Sequence, residues 1–574
     1  MDNVFERLSK MDTKASSSIL RIVLAVPAAA LLYLSYRAAV YLIKPYLSPL
    51  RKLKGPKSDS ILFGNMIDLA RGDAYVRLRE WRAEYGNVFV LHALFGDWRC
   101  VIADNKGIAH LLANHMSYYK PEFARFQLSY LLGHGLVSAE GLEHRHQRRI
   151  MTPAFSASHL RNILPTFLDK SAALSEMLRK HLEKAPTTSP DAVPSLRVDM
   201  ITYLSKATID IISVAGFNYD FDTLHQKPGE PGTELAGALH RFLSPEKFPV
   251  FLFLKGFIPL FRLWEWDAQA REARKARVTI RRIGKGLIED GLKRVNEEKA
   301  SGGGTDLKHT VHDKDLLSLM IKSNMSTTVP PEQRLSIEQM MNQIPTFLIA
   351  GHETTANSTA WCLYALCNNP TIQTRLREEL LQAFPVGDST EVTADALNAL
   401  PYLEAVVRET LRFHPPVELS ARVAEGDDVI PLEKPFVDKY GKLRECIEVK
   451  KGDAFIIPIM LMNRAKDIWG EDADEYNPDR WLNELPGKTA GIPGVWANLL
   501  TFLGGQRSCI GFKFAILEMK ALLLHLLRNF EFQLAVKPED IAGMEMIVTR
   551  PVVKHEKNKG AQLPVVIRPI VHNL

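Results

Sequence analysis

Residues 502–511, Phe-Leu-Gly-Gly-Gln-Arg-Ser-Cys-Ile-Gly, run without a spacer into an apolar helical pattern that begins at Phe512, and this junction constrains the chain more than any other stretch. Glycines at 504, 505 and 511 permit a tight turn and a close approach of backbone to a flat ligand. Cys509 stands at the expected helix N-terminus, where unpaired N–H groups and the positive end of the macrodipole favour a thiolate and so metal binding. On residue type alone, a single cysteine ahead of a helix is a small buried hydrophobe. Arg507, just before it, is placed to meet an anionic group on such a ligand.

The spacing Phe502-x-x-Gly505-x-Arg507-x-Cys509-x-Gly511 resembles the haem-binding loop of the cytochrome P450 family, in which the cysteine sulfur is the proximal iron ligand. Leu503 departs from the pattern, since the family usually has Gly or Ser after the Phe. The resemblance implies a haem b cofactor, with Cys509 as axial ligand and Phe502, Arg507 and Gly511 in the cofactor loop. It also implies a predominantly α fold with small β-sheets.

Other parts of the family pattern follow in the right order. Apolar residues at 403, 406, 407 and 411 mark a helix ended by Pro415 and Pro416, on which Glu409 and Arg412 share a face. An exposed pair at this spacing contributes only about 0.2–0.5 kcal/mol. By resemblance the pair is instead buried and joined by Arg480, forming a scaffold with no chemistry of its own.

Residues 336–368 read as one long helix, opened by a capping box at Ser336 and Gln339 and bent by Pro345. Within it, Gly351 is expected to admit a flat cofactor, and Ala350 to leave room beside it. Glu353-Thr354 resembles the family's acid–alcohol pair, which implies a proton relay for dioxygen activation. Without the cysteine loop, Thr354 and Thr355 would simply bond back to the preceding turn.

Haem propionates are costly to bury unless cations meet them. Arg507 and Arg422 are two candidates. His144 and Arg148, at a spacing of four, stand where the family usually has Trp and Arg, and an imidazole N–H can replace an indole N–H as donor. That exchange is expected to make the site more pH-sensitive. Arg145 and Arg149 fit a solvated basic face suited to an acidic electron donor. Phe347, Ala350, Val417 and Leu419 are pocket-lining candidates by their proximity to these motifs.

A net charge of +6 over 574 residues is too mild to argue for nucleic acid. Five scattered cysteines, at 100, 362, 367, 446 and 509, favour a reducing compartment over a disulfide framework. Ile22 to Ile43 is almost wholly apolar and long enough to span a bilayer. Lys44, Arg51, Lys52, Lys54 and Lys57 follow it, which places the rest of the chain on the cytoplasmic side. The expected organisation is a short segment over 1–21, a transmembrane anchor helix over 22–43, a basic, proline-rich hinge over 44–59 and a catalytic domain over 60–574. The proline-broken apolar stretch 248–261 resembles the family's membrane-dipping lid, with a core segment as the alternative.

The resemblance therefore implies a single-pass endoplasmic reticulum monooxygenase that hydroxylates a lipophilic small molecule, with a terpenoid or related secondary metabolite as first expectation. Sterols, fatty acids and xenobiotics are alternative substrates. Electrons would come from NADPH through a separate cytochrome P450 reductase, with cytochrome b5 as a further donor, because the chain has no Gly-x-Gly-x-x-Gly fingerprint. Rival expectations are a haem-thiolate isomerase or peroxygenase, and a non-catalytic haem carrier or sensor.

Overall fold

In a computed structural model of the chain, Asn342 breaks the long helix expected over 336–368 into Ile337–Met341 and Gln343–Asn368. The capping box is present: the Gln339 amide donates to Ser336 Oγ at 3.2 Å, and the Ser336 amide to Gln339 Oε1 at 3.0 Å. The break explains Pro345. Expected to bend a continuous helix, it falls instead in the first turn of the second helix, where its missing N–H has no intrahelical partner to lose.

The structure describes residues 46–58, 60, 62–71, 74–93, 96–186, 194–226, 268–300, 315–387, 390–544 and 547–570, with isolated positions at 32, 35, 36, 43, 234, 255 and 256. The anchor expected over 22–43 and the apolar segment 248–261 therefore lie outside the described residues, apart from a few single positions. Among the described residues, one helix is long and apolar enough to cross a membrane, Met200–Phe217, and 72% of it is buried within the protein. It is a core helix.

Two compact units make up the chain: Met1–Asp104 with Ala424–Ile456, and Asn105–Val423 with Ile457–Leu574. The larger unit is mostly helical. Its centre is Gln343–Asn368, whose Leu348, Ala356, Ala360 and Leu363 are buried and which packs along Met200–Phe217. Contact between these helices is close enough that a Cβ on Gly351 would fall 2.9 Å from Ile212 Cγ1. Gly351 thus serves helix packing. Phe512–Asn529, apolar on nearly all sides, packs against Ala157–Glu183. In the accompanying sheet, Pro564–Pro569 pairs antiparallel with both Leu196–Asp199 and Phe530–Leu534.

The smaller unit is built on strands. Val88–His92 pairs antiparallel with Trp98–Ile102 in the register Val88↔Ile102, and the latter runs parallel to Ala454, Phe455 and Ile456. A long hairpin, Asp428–Val437 with Leu443–Val449, carries a register shift between Pro431 and Phe436. The short 3-10 helix Pro49–Lys52 is fastened to it: Lys52 Nζ lies 2.8 Å from Glu448 Oε2, and the Lys439 amide donates to the Lys52 carbonyl at 2.9 Å.

Candidate active site

Backbone contacts shape much of the cysteine turn. The Cys509 amide donates to the Phe502 carbonyl at 2.9 Å, and the Val495 amide to the Leu503 carbonyl at 2.9 Å. A Cβ on Gly504 would lie 1.9 Å from the Pro493 oxygen, and one on Gly505, at φ +67°, 2.5 Å from the Leu112 oxygen. Both glycines are therefore required by the turn itself. Gly511 is not, since only Phe155 would meet its Cβ, at 3.6 Å. Leu503 has φ +53° and ψ −171°, a backbone region that only glycine enters without strain. That explains why a glycine at this position would be natural and marks the leucine as strained.

Cys509 is open to solvent, yet protein surrounds it closely enough that desolvation pushes its thiol up; the Gly511 amide and Arg148 act in the opposite direction. Helix Phe512–Asn529 begins three residues later, and a metal bound at the sulfur would favour the thiolate further.

Around this turn gathers an excess of positive charge. Arg507 is ion-paired with Glu140, and its Nη1 donates to the Ala139 carbonyl at 3.1 Å. Lys120 Nζ lies 3.5 Å from the same glutamate, and burial pushes its pKa down to about 8 despite that partner. Burial likewise brings Arg422 down to about 10, with Arg507 adding repulsion. His144 is driven to about 3, first by burial and then by Arg507, Lys120 and Arg148, so its ring is neutral and has one N–H to give. The Nε atoms of Arg507 and Arg125 are buried and have no hydrogen-bond partner. Lys120 and Arg422 share the Glu140 carboxylate with Arg507, and Arg125 and Arg148 add their charge beside Arg507, an excess that calls for further anionic charge. The two propionates of a haem, whose iron Cys509 would ligate, fit that requirement.

Two of the expected propionate partners also have protein acceptors. Arg148 Nη1 donates to the Ser508 carbonyl at 2.5 Å and Nη2 to Ser508 Oγ at 3.2 Å, tying helix Gly141–Met151 to the cysteine turn. Arg422 Nη1 donates to Ser420 Oγ at 2.9 Å and to the Ala421 carbonyl at 2.8 Å. Sequence reasoning missed Lys120, Arg125 and Glu140 as members of this cluster. They sit ahead of the motif, and only the fold brings them to Arg507.

Glu353 and Thr354 are not joined to each other. Thr354 Oγ1 donates to the Ala350 carbonyl at 2.7 Å, the back-bonding that a helical threonine adopts by default, and the Glu353 carboxylate is ion-paired with Arg550. Arg550 opens strand Arg550–Val553, and no pattern in the sequence singles it out. Thr549, the residue before it, is pinned to the same helix by Trp361 Nε1, which donates to its carbonyl at 3.2 Å. Among the pocket candidates, Phe347 is buried edge-on against Phe155, with ring centroids 5.6 Å apart, while Ala350, Val417 and Leu419 are half-buried.

The Glu409 network is fully assembled. Arg412 grips Glu409 through Nε and Nη2, both at 2.8 Å, and gives its other N–H groups to the carbonyls of Asn463, Ala473 and Glu475. Arg480 Nε at 3.2 Å, Trp481 Nε1 at 2.9 Å and the Asn477 amide at 2.8 Å complete the shell around the carboxylate. Glu409 and Arg412 have no solvent exposure. This differs from a surface pair in kind: a buried charge with all its partners present is costly to disturb.

Comparison with known proteins agrees with this geometry. The family model described as Cytochrome P450 matches residues 54–555. "Cytochrome P450 monooxygenase 205" of Postia placenta is 42% identical, over 96% of this chain and 98% of that protein. "Cytochrome P450 monooxygenase 128" of the same fungus is 40% identical over 95% and 97%. "Cytochrome P450 monooxygenase claO" of Ampulloclitocybe clavipes is 34% identical over 90% and 93%. The chain belongs to the cytochrome P450 family.

Proposed function

We propose that this chain is a haem-thiolate monooxygenase that oxidises a lipophilic small molecule, with a terpenoid or related secondary metabolite as the first substrate class to test. The observation that carries it is the pairing of the Cys509 turn with a buried, under-neutralised cation cluster. Cys509 would hold the iron, while Arg507, Arg422, Arg148, His144, Lys120 and Arg125 would hold the propionates. When bound, haem ligated by a thiolate supplies the reductive activation of dioxygen.

This chain's own residues would then manage protons and access. Thr354 Oγ keeps acceptor capacity while its proton is given to the Ala350 carbonyl, so it can position a water. Glu353, oriented by Arg550, would take a proton from solvent and pass it to that water. Electrons would arrive from NADPH through a reductase at the basic face carrying Arg145 and Arg149, and residues 22–43 would anchor the chain in the endoplasmic reticulum membrane. The test is turnover of host lipid extracts with NADPH and reductase, comparing the chain with Cys509→Ala. Oxidised product only with the intact chain supports the proposal; none with either overturns it.

A second possibility draws on the separation of Glu353 from Thr354. A peroxygenase or isomerase needs no proton relay, and it would turn over without NADPH.

A further inference from the structure

Thr549 stands just ahead of strand Arg550–Val553, and every group it has is engaged. Its amide donates to the Pro416 carbonyl at 2.8 Å, its hydroxyl donates to Glu418 Oε1 at 2.8 Å, and its carbonyl accepts Trp361 Nε1 at 3.2 Å. Its methyl closes on Gly543, where a Cβ would fall 2.9 Å from Thr549 Cγ2. This buried residue is thus tied both to helix Gln343–Asn368 and to the segment that follows helix Pro401–Phe413.

The strand supplies little hold of its own. Arg550–Val553 pairs with Ile541–Met544 in a two-stranded sheet, and Met544↔Arg550 is the last pair before the connection. A two-stranded ribbon alone is marginal in water. The place of Arg550 is therefore set by whatever holds Thr549.

Trp361 is the most firmly built of those ties. Its buried indole lies on the His414 ring, 4.6 Å between centroids and 10° between planes, and meets Tyr364 edge-on at 5.4 Å. Ring packing thus aims the N–H. Trp361 also follows Glu353 by eight residues, about two turns along the same helix. One helix therefore grips the strand twice, by Trp361 at Thr549 and by Glu353 at Arg550.

We propose that Trp361 and Thr549 are positioning residues for proton delivery: by fixing the start of the strand they set the Arg550 guanidinium, and through it the Glu353 carboxylate. Glu418 braces Thr549 through its hydroxyl. This rests on the monooxygenase reading above, in which Glu353 passes a proton to water, and the experiment separates the two.

The full-length holoprotein is compared with Trp361→Phe, which keeps an aromatic ring beside His414 but has no N–H, and with Thr549→Val, which keeps the shape but not the hydroxyl. Host lipid extract, NADPH and reductase drive turnover, and deuterium exchange over 549–553 reads the strand. Trp361→Phe should speed that exchange about fivefold, the effect of one lost hydrogen bond. Product per NADPH should fall about threefold, with peroxide rising and haem content unchanged. In an Arg550→Gln background the exchange should still quicken while product falls no further, because the tie acts through Arg550. Thr549→Val should follow Trp361→Phe, and Thr549→Ser should behave as the intact chain. A further threefold loss added to that of Arg550→Gln would assign Trp361 to packing alone and overturn the proposal, as would unchanged exchange. Should Trp361→Phe not fold, the Thr549→Val and Thr549→Ser pair decides by the same two measures. No product from the intact chain overturns the monooxygenase reading and the delivery role with it, whereas product from the intact chain with unchanged exchange in the variants overturns this proposal alone.

Discussion

Arg550 is ion-paired with Glu353, which joins a C-terminal strand to the helix carrying the candidate proton donor, and both side chains are mostly shielded from water. No other side chain among the described residues is bonded to that carboxylate. Arg550 therefore decides where the acid rests. Glu353→Gln should lower NADPH-driven product formation about 100-fold, the scale of a lost proton-transfer group, with more electrons released as hydrogen peroxide. Arg550→Gln, which keeps the acid but frees it, should lose about tenfold, and Arg550→Lys should regain most of that. Product and peroxide formed per NADPH check both.

Leu503 offers a test in the opposite direction. Its left-handed φ with extended ψ is a glycine conformation, worth about 1–3 kcal/mol of strain. Leu503→Gly should raise stability by about 1 kcal/mol after the entropy of the added glycine is subtracted. Chemical denaturation of the two holoproteins measures it.

Glu409 and Arg412 should tolerate no truncation. Removing Glu409 leaves Arg412 buried without its carboxylate, and removing Arg412 leaves Glu409 buried with Arg480 as its remaining cation; breaking a buried pair in this way costs about 3–5 kcal/mol. Arg412→Ala should express as a poorly folded protein with little haem. Arg480→Ala, which removes one of five donors to Glu409, should cost less, about 1–3 kcal/mol. Thermal denaturation and the haem-to-protein absorbance ratio report both.

Stability should fall on mild acidification. His414 is stacked on Trp361 with ring centroids 4.6 Å apart, and burial, then Arg464 and Arg412, lower its pKa to about 3. The unfolded chain takes up a proton near pH 6.5 that the folded chain refuses, so stability is full above that value and declines as pH drops from 6.5 toward 3. The slope is at most about 1.4 kcal/mol per pH unit for this group. His414→Gln should flatten the profile, as denaturation midpoints between those limits will show.

The parts of the site legible in the sequence are those written as local patterns. Cys509 with its glycines, the Glu409–Arg412 spacing and the Ser336–Gln339 capping box each specify short-range geometry: the turn requires Gly504 and Gly505, the Glu409–Arg412 pair forms and the capping box is present. Contacts made across the fold were not legible. Arg550 meets Glu353 from nearly two hundred residues away, and Lys120, Arg125 and Glu140 reach Arg507 only after the chain has folded. Pro345 was misread for a related reason: a proline signals restraint, but the sequence does not say whether a helix bends at it or begins just before it.

Because the carbonyls of Pro493 and Leu112 press on Gly504 and Gly505, the path of the chain around the sulfur admits no redesign at those two positions. Of the other residues next to the sulfur, Gln506 is exposed and can change character without moving the loop, whereas Ile510 is held by its packing against the hydrophobic core.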